Sequence, residues 1–319
     1  YRGSMHILYE QSRMAEDGVR RPEGTVQTYM ESVHHQFVST MANLESLATH
    51  SQAMYRDYWD GRKYNVSAKS KFADKSYVIL ANDNHGRMAA LVERLDAQGI
   101  EMFTNDAPLK VARATTQLGS EERGFTIPKR SLIIPNRQPD APLVAAILEF
   151  DAEVRKSVLV EERQRTLRDG SSLMYDTTSW NFSMMYGLPA VTVPEYLSQD
   201  LQPWQNAAPT IDVAAEAIAW SVNGEDDRSV AFAARLMESG AQVRIIDKAT
   251  ELSGKALPRG SVFVTAMDNP KLDNLTDLIR TEAENLQLTV SSIGSGYGAG
   301  DLPDWGGAHF RLLTRPQID

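Results

Sequence analysis

The sequence contains no cysteine among its 319 residues. Without thiols the chain can form neither disulfides nor thiolate metal sites, and it cannot use cysteine as a nucleophile. It also lacks a basic excess, because 33 Lys and Arg stand against 42 Asp and Glu and give a formal net charge of −9. This acidic balance argues against nucleic acid as a partner. No apolar run is long enough to cross a bilayer, so we predict no membrane span.

Several catalytic motifs are absent as well. None of the six histidines begins an HxxE or HExxH sequence, so we predict no metal-binding or cofactor-binding residue in this chain. A G-x-S-x-G nucleophile elbow is also missing. The glycine-rich stretch GSGYGAGD runs into LPDWGG instead of opening a helix, which argues against a phosphate site. These absences exclude the common hydrolase signatures from the sequence as it stands.

The stretch MHILYEQSR, residues 5 to 13, predicts a buried strand with a glutamate in its middle. Side chains of a strand alternate between two faces, so Leu8 and Glu10 share one face while Ile7 and Tyr9 take the other. Burying an unpaired carboxylate is costly. Glu10 is therefore a paired structural residue, a residue at an exposed strand end, or a functional residue.

A long helix with one buried face is predicted after the polar loop that follows. Apolar residues recur three or four apart from Val33 to Ala48, as on one side of a helix. Thr28 and Glu31 have the spacing of a capping box, which places the start of the helix beside them.

An internal repeat occupies most of the remaining chain. At a single offset of 141 the identical pairs are Arg87 and Arg228, Ala90 and Ala231, Arg94 and Arg235, Leu95 and Leu236, and Gly99 and Gly240. Each copy reads as strand, helix, strand, loop, strand, helix, and the loop of the first copy is longer by eleven residues. We expect Gly99 and Gly240 to end helices in the left-handed conformation.

This alternation predicts an α/β fold with parallel strands joined by right-handed crossovers. We expect a doubly wound domain over residues 75–319, built from two similar βαβ-type halves at about 75–150 and 214–290. A helix and an aromatic segment over residues 151–213 join the halves, and residues 63–74 form a linker before them. We interpret the aromatic segment as a clamp that packs across the halves.

Three blocks resemble bacterial zinc carboxypeptidases of the M14 type, in the subgroup with extra α/β domains behind the peptidase. The blocks are YRGSMHILYEQSR, TYMESVHHQFVSTMANLESLA and SSLMYDTTSWNFSMMYGLPA. The LYEQ segment resembles the late strand that bears the catalytic glutamate, and the helix after it resembles the last helix of the peptidase fold. Residues 1–62 would then be the end of a peptidase domain. The repeat is similar to a glutamine-amidotransferase-like accessory domain that lacks cysteine.

The resemblance implies that Glu10 is a general base, which takes a proton from a zinc-bound water and passes it to the leaving amine. In this family the zinc ligands and the substrate-binding arginines precede the matched blocks. We therefore expect zinc in the complete protein, none in this chain, and no activity from this chain alone. The implied partners are a peptide substrate and an N-terminal peptidase portion, and the implied location is periplasmic or secreted.

A non-catalytic α/β binding or scaffold module is the alternative function. Such a module would keep the fold without the chemistry, and Glu10 would be structural. The two hypotheses differ in whether the reading frame upstream of Tyr1 encodes an HxxE motif and a later histidine.

Overall fold

A computed structural model describes residues 2–4, 7–10, 18–151, 154–172 and 181–314. Its helices are α1 Tyr29–Asn65, α2 His85–Asp96, α3 Ala141–Leu148, α4 Lys156–Asp169, α5 Phe182–Met185, α6 Arg228–Glu238 and α7 Leu275–Leu286. Its strands are β1 Gly18–Arg20, β2 Val26–Thr28, β3 Ser76–Ile79, β4 Phe103–Asn105, β5 Leu109–Lys110, β6 Arg113–Thr116, β7 Glu121–Arg123, β8 Thr126–Ile127, β9 Leu132–Pro135, β10 Ala190–Val193, β11 Leu201–Pro203, β12 Ala219–Val222, β13 Arg244–Ile246, β14 Thr250–Leu252, β15 Lys255–Leu257, β16 Val262–Thr265, β17 Val290–Ile293 and β18 Phe310–Leu312. The fold is mixed α/β.

The chain divides into two compact units that are interleaved along the sequence. The first unit is Tyr1–Tyr77, Ile134–Asn181 and Thr192–Ser198, and the second is Val78–Ile133, Phe182–Val191 and Gln199–Asp319. Residues 173–180, which are part of the aromatic segment that we interpreted as a clamp, lie outside the described residues. The domain boundaries given above stay a prediction.

The long helix α1 in the first unit begins where its capping box predicts. The Thr28 hydroxyl accepts a hydrogen bond from the Glu31 N–H at 3.2 Å, and the Glu31 carboxylate accepts one from the Thr28 N–H at 2.7 Å. The predicted buried face is wrong for the described chain, because Ser32 is the only buried residue that the helix contains there. The spacing of apolar residues shows that a helix has an apolar side, but it does not show what covers that side.

The buried strand predicted around Glu10 is also not observed. Residues Ile7–Glu10 are irregular and exposed, while Met5, His6 and residues 11–17 lie outside the described residues. A strand needs a neighbouring strand to satisfy its backbone groups. In the described chain the nearby strands β1 and β2 pair with each other, so Ile7–Glu10 has no partner strand there.

The second copy of the repeat forms a five-stranded sheet in the order β17-β12-β16-β13-β18. All four neighbouring pairs are antiparallel. Because β12 and β13 are both antiparallel to the intervening β16, they run in the same direction, as a βαβ unit requires. Two such units interleave here, which is the split βαβ topology of ferredoxin-like folds. Our prediction of parallel neighbours is therefore wrong in this sheet, since the alternation of elements does not show that another strand lies between β12 and β13.

The two faces of this sheet are covered differently. Phe232 and Leu236 of α6 and Ile279 of α7 belong to one buried cluster with Trp220 and with valines of β12, β16 and β17. The residues that point to the opposite face pack with the β14–β15 hairpin, and the rings of Phe263 and Phe310 meet edge to face at 4.9 Å there. Both helices thus lie on one face, whereas a doubly wound layer would have helices on both.

The first copy has the same strand order, which supports the internal repeat. In the seven-stranded sheet β11-β4-β9-β3-β10-β6-β7, the strands β10, β3, β9, β4 and β11 stand in the order of β17, β12, β16, β13 and β18. The short pair β5–β8 corresponds to β14–β15. The eleven extra residues of the first copy are the hairpin β6–β7, which adds two strands beyond β10.

The two glycines shared by the copies end helices as predicted. Gly99 has φ +69° and Gly240 has φ +91°, values that a residue with a Cβ rarely adopts. The residue after each glycine donates its N–H back into the helix, from Ile100 to Leu95 at 3.2 Å and from Ala241 to Leu236 at 3.0 Å. The chain therefore leaves α2 and α6 by the same turn.

Candidate functional site

The segment that carries Glu10 lies against α1 in the first unit. Gln36 donates its side-chain amide to the Tyr9 carbonyl at 2.9 Å, and the Tyr9 hydroxyl donates to the Asn43 side chain at 3.2 Å. Gln36 and Asn43 are two helical turns apart, so both bonds are made from one side of the helix. The Glu10 side chain is exposed, and no hydrogen bond or ion pair to it is found within the described residues. The structure thus holds Tyr9 in place and leaves the neighbouring carboxylate open to solvent.

The side of α1 that we expected to be buried is an exposed apolar face in the described chain. The exposed fractions are 52% for Val33, 63% for Phe37, 48% for Met41 and 55% for Leu44. Isolated apolar residues on a surface are ordinary, but a continuous row of this length usually marks an interaction surface.

The described residues do not form a zinc site. No three of their His, Asp or Glu side chains lie close enough together to hold a metal ion. His34 and His35 are both exposed, and their ring centroids are 6.5 Å apart. A zinc ion that acts with Glu10 would therefore need ligands from elsewhere.

A cavity of about 370 Å³ lies between the second half of α1 and the loop that precedes α3 in the first unit. Arg62 forms an ion pair with Asp140 at 2.5 Å, and Arg2 lies 3.9 Å from the same carboxylate. The Arg62 guanidinium also stands 5.3 Å from the centre of the Tyr58 ring. Glu10 is not part of this cavity wall, so the cavity does not belong to the predicted catalytic site.

The second unit contains a contact between the two copies, at the N-terminal ends of α2 and α6. The buried carboxylate of Asp226 accepts the Gly86 N–H at 3.2 Å and an Arg228 guanidinium N–H at 2.7 Å. Arg87 binds Asp227 at 2.5 Å. At the offset of 141, Arg87 corresponds to Arg228 and Gly86 to Asp227. A Cβ on Gly86 would lie 2.7 Å from the Asp226 carboxylate and 2.9 Å from the Arg228 side chain. Equivalent positions of the two copies thus face each other, as in an isologous dimer, although the side chains at these positions differ.

The charges at this contact affect the ionisation of the exposed carboxylate. The hydrogen bond from Arg87 holds the pKa of Asp227 below its usual value, and a bond from Asn84 adds to the effect. Sequence reasoning identified Arg87 and Arg228 as repeat identities but not this contact. The available signal was the acidic pair Asp226 and Asp227, which stands where the first copy has a histidine and a glycine.

A histidine and an aspartate also meet in the second unit, at the start of β18. His309 Nδ1 lies 2.7 Å from Asp247 Oδ1, and Arg311 contacts the other carboxylate oxygen. The bond with His309 is the main cause that lowers the pKa of Asp247. In the described chain no hydroxyl or thiol is hydrogen-bonded to the His309 ring, so the pair has no nucleophile to activate.

Comparisons of this chain with models of protein families, with curated proteins and with solved structures found no match. None of the helices in the described ranges is long and apolar enough to cross a membrane. Any functional assignment therefore depends on the residues themselves.

Proposed function

We propose that this chain is the rear part of an M14-like zinc carboxypeptidase and that Glu10 is its general base. The observation that carries the proposal is the exposed Glu10 carboxylate, held beside α1 through the two hydrogen bonds of Tyr9. A base must reach a water molecule, and the exposed Glu10 carboxylate is open to one; in the proposal the peptidase portion supplies the walls of the cleft. The three sequence blocks that resemble the family support the same assignment.

The exposed apolar face of α1 supports the proposal that a further protein layer covers this helix in the complete protein. A surface that covers Val33, Phe37 and Leu44 would also come close to Ile7–Glu10, because that segment lies along the same helix. In the proposal this layer is the N-terminal peptidase portion, which carries the zinc ligands and the groups that bind the peptide. The repeat would serve as the accessory domain, and the complete protein would work in the periplasm or outside the cell.

In this assignment Glu10 accepts a proton from the water that attacks the C-terminal peptide bond. It then gives the proton to the amine that leaves, so the carboxylate is restored at the end of the cycle. The hydrogen bond from Gln36 to the Tyr9 carbonyl would limit the movement of the main chain beside Glu10. A displacement of about 1 Å at this step is enough to lower a rate by about 100-fold.

Glu10→Gln in the complete, zinc-loaded protein tests the role of Glu10. We expect turnover to fall by several orders of magnitude while the zinc content stays unchanged, because the amide cannot accept the proton. Glu45→Gln is the matched control, since Glu45 is an exposed glutamate of α1, and it should keep normal turnover. Activity of the Glu10 variant close to that of the control would refute the assignment.

The second candidate, a binding or scaffold module, is favoured by the isologous contact between the two copies. Such a contact stabilises the fold and does not require catalytic activity. The mass and zinc content of the native protein, captured with an antibody against this chain, separate the candidates. A species much heavier than 35.5 kDa with about one zinc per chain supports the peptidase, whereas a zinc-free species of this size supports the module.

A further inference from the structure

A groove of about 380 Å³ in the second unit lies at the edge of the first copy, where β4 pairs with β11. Its wall includes Met102, Phe103, Pro203 and Trp204 as apolar groups and Asp96 and Glu101 as charged groups. No lysine or arginine belongs to this wall. The groove is thus apolar and carries negative charge alone.

The backbone fixes the aromatic residues of the groove. Pro203 stands opposite Phe103 in the antiparallel pair, and the Trp204 N–H donates to the Met102 carbonyl at 2.9 Å. Trp204 therefore follows directly on a strand, and Phe103 begins the strand beside it. Both side chains are partly buried, so they offer rigid ring surface at little cost in conformational entropy.

The second copy provides an internal comparison, because the same backbone lacks these side chains there. Leu313 N–H donates to the Val243 carbonyl at 2.8 Å, in the place of the bond between Trp204 and Met102. At equivalent positions the second copy has Met237 for Asp96, Gln242 for Glu101, Arg244 for Phe103 and Leu313 for Trp204. Arg244 is bound to Asp268 at 2.6 Å, and Leu313 packs against the core.

This difference between the copies concerns side chains and not the fold. Strand pairing, the helix-ending glycine and the hydrogen bond after the edge strand are shared. The aromatic and acidic residues are therefore not needed to form this edge of the sheet. Binding of a ligand with complementary chemistry would explain why the first copy has these residues.

We propose that this groove binds an arginine side chain of a peptide, at a site separate from Glu10. A guanidinium stacks favourably on the face of an indole ring. Carboxylates at the rim complement its charge, and the apolar wall accepts the methylene stem. The net charge of −9 on the whole chain attracts cationic ligands from a distance. This inference goes beyond the proposed peptidase function and does not depend on it.

The test is a titration of this chain with N-acetyl-arginine amide, followed by calorimetry and by tryptophan fluorescence. N-acetyl-citrulline amide is the control ligand, because it has nearly the same shape without the charge. We expect the arginine ligand to bind at least tenfold more tightly than the citrulline ligand, and we expect added salt to weaken it.

Three variants locate the site. Trp204→Leu should abolish the fluorescence change, and it should fold because leucine occupies the equivalent position of the second copy. The double variant Asp96→Asn with Glu101→Gln should weaken binding about tenfold, which corresponds to the loss of two partly solvated charge contacts. Glu238→Gln, an exposed glutamate at the end of α6, should bind as the unaltered chain does.

Two results would overturn the proposal. Equal affinity for the arginine and citrulline ligands would show that charge is not recognised. Unchanged binding by folded Trp204→Leu, verified by its circular dichroism, would place the binding site elsewhere on the chain. Neither result bears on the zinc content or the role of Glu10, so this test and the peptidase test fail independently.

Discussion

Replacing Asp226 by alanine should strongly destabilise the contact between the two copies. Its side chain is only 5% exposed, whereas that of its partner Arg228 is 25% exposed. The carboxylate accepts the Gly86 N–H at the start of α2, the Arg228 N–H at the start of α6, and the Arg228 guanidinium. One residue thus satisfies donors at two helix ends and neutralises one guanidinium.

The magnitude follows from what the substitution leaves unpaired. Breaking a buried ion pair from one side typically costs about 3–5 kcal/mol of stability. Because Arg228 is partly exposed, water can solvate its charge after the substitution, and we expect about 3 kcal/mol. The neighbouring pair of Arg87 and Asp227 has side chains that are 41% and 55% exposed. Asp227→Ala should therefore cost less than about 1 kcal/mol.

Urea unfolding at pH 7, followed by circular dichroism and tryptophan fluorescence, compares the two variants. Asp226 and Asp227 are adjacent in sequence and both form an ion pair with an arginine, so the comparison tests burial together with the two backbone N–H groups that Asp226 alone accepts. Asp226→Asn should lie between the unaltered chain and Asp226→Ala, because the amide still offers an oxygen to the backbone N–H groups. If Asp226→Ala and Asp227→Ala lose the same free energy of unfolding, the reasoning from burial is refuted.

Two further predictions concern the second copy. Gly240→Ala should lower the free energy of unfolding by about 1 kcal/mol, because its φ of +91° is unfavourable for a residue with a Cβ. No atom lies within 4 Å of the added Cβ, so a steric clash does not contribute. An unchanged urea midpoint would contradict this prediction. Hydrogen bonding to Arg244 lowers the pKa of Asp268 in the folded chain, so this carboxylate contributes stability above its unfolded pKa and loses it as pH falls through the folded value. The difference in free energy of unfolding between the unaltered chain and Asp268→Asn should therefore shrink as pH falls below about 4. A difference that stays constant down to about pH 2.5 would contradict the assignment.

Local features of the fold were predictable from the sequence. The capping box of Thr28 and Glu31 begins α1, and Gly99 and Gly240 end their helices with positive φ. Each of these features depends on residues within one or two helical turns. The eleven extra residues of the first copy could also be located, because the two copies share one backbone and an insertion in one of them must form an additional loop or hairpin.

Strand direction and burial could not be read in the same way. Whether β12 lies beside β13 or beside β16 depends on pairing between residues distant in sequence, for example Trp220 with Val264. Whether Phe37 is buried depends on what packs against α1, and within the described residues its side chain is 63% exposed. Glu10 combines both problems, because a strand pattern implies a buried carboxylate only if a second strand is present to pair with it.

The duplication gives a physical criterion for separating structural from functional residues in this chain. Residues that are needed for folding should be similar in both copies. Leu95 and Leu236 are such a pair, because both are fully buried, and Gly99 and Gly240 are another, because both end a helix with positive φ. Where the two copies have the same backbone but different side chains, folding does not require either side chain. Trp204 and Leu313 follow the same strand and donate the same hydrogen bond, so the fold alone does not select tryptophan. If the groove has no ligand, Trp204→Leu should leave stability unchanged and affect no binding; if it has one, the same variant should lose binding without losing the fold.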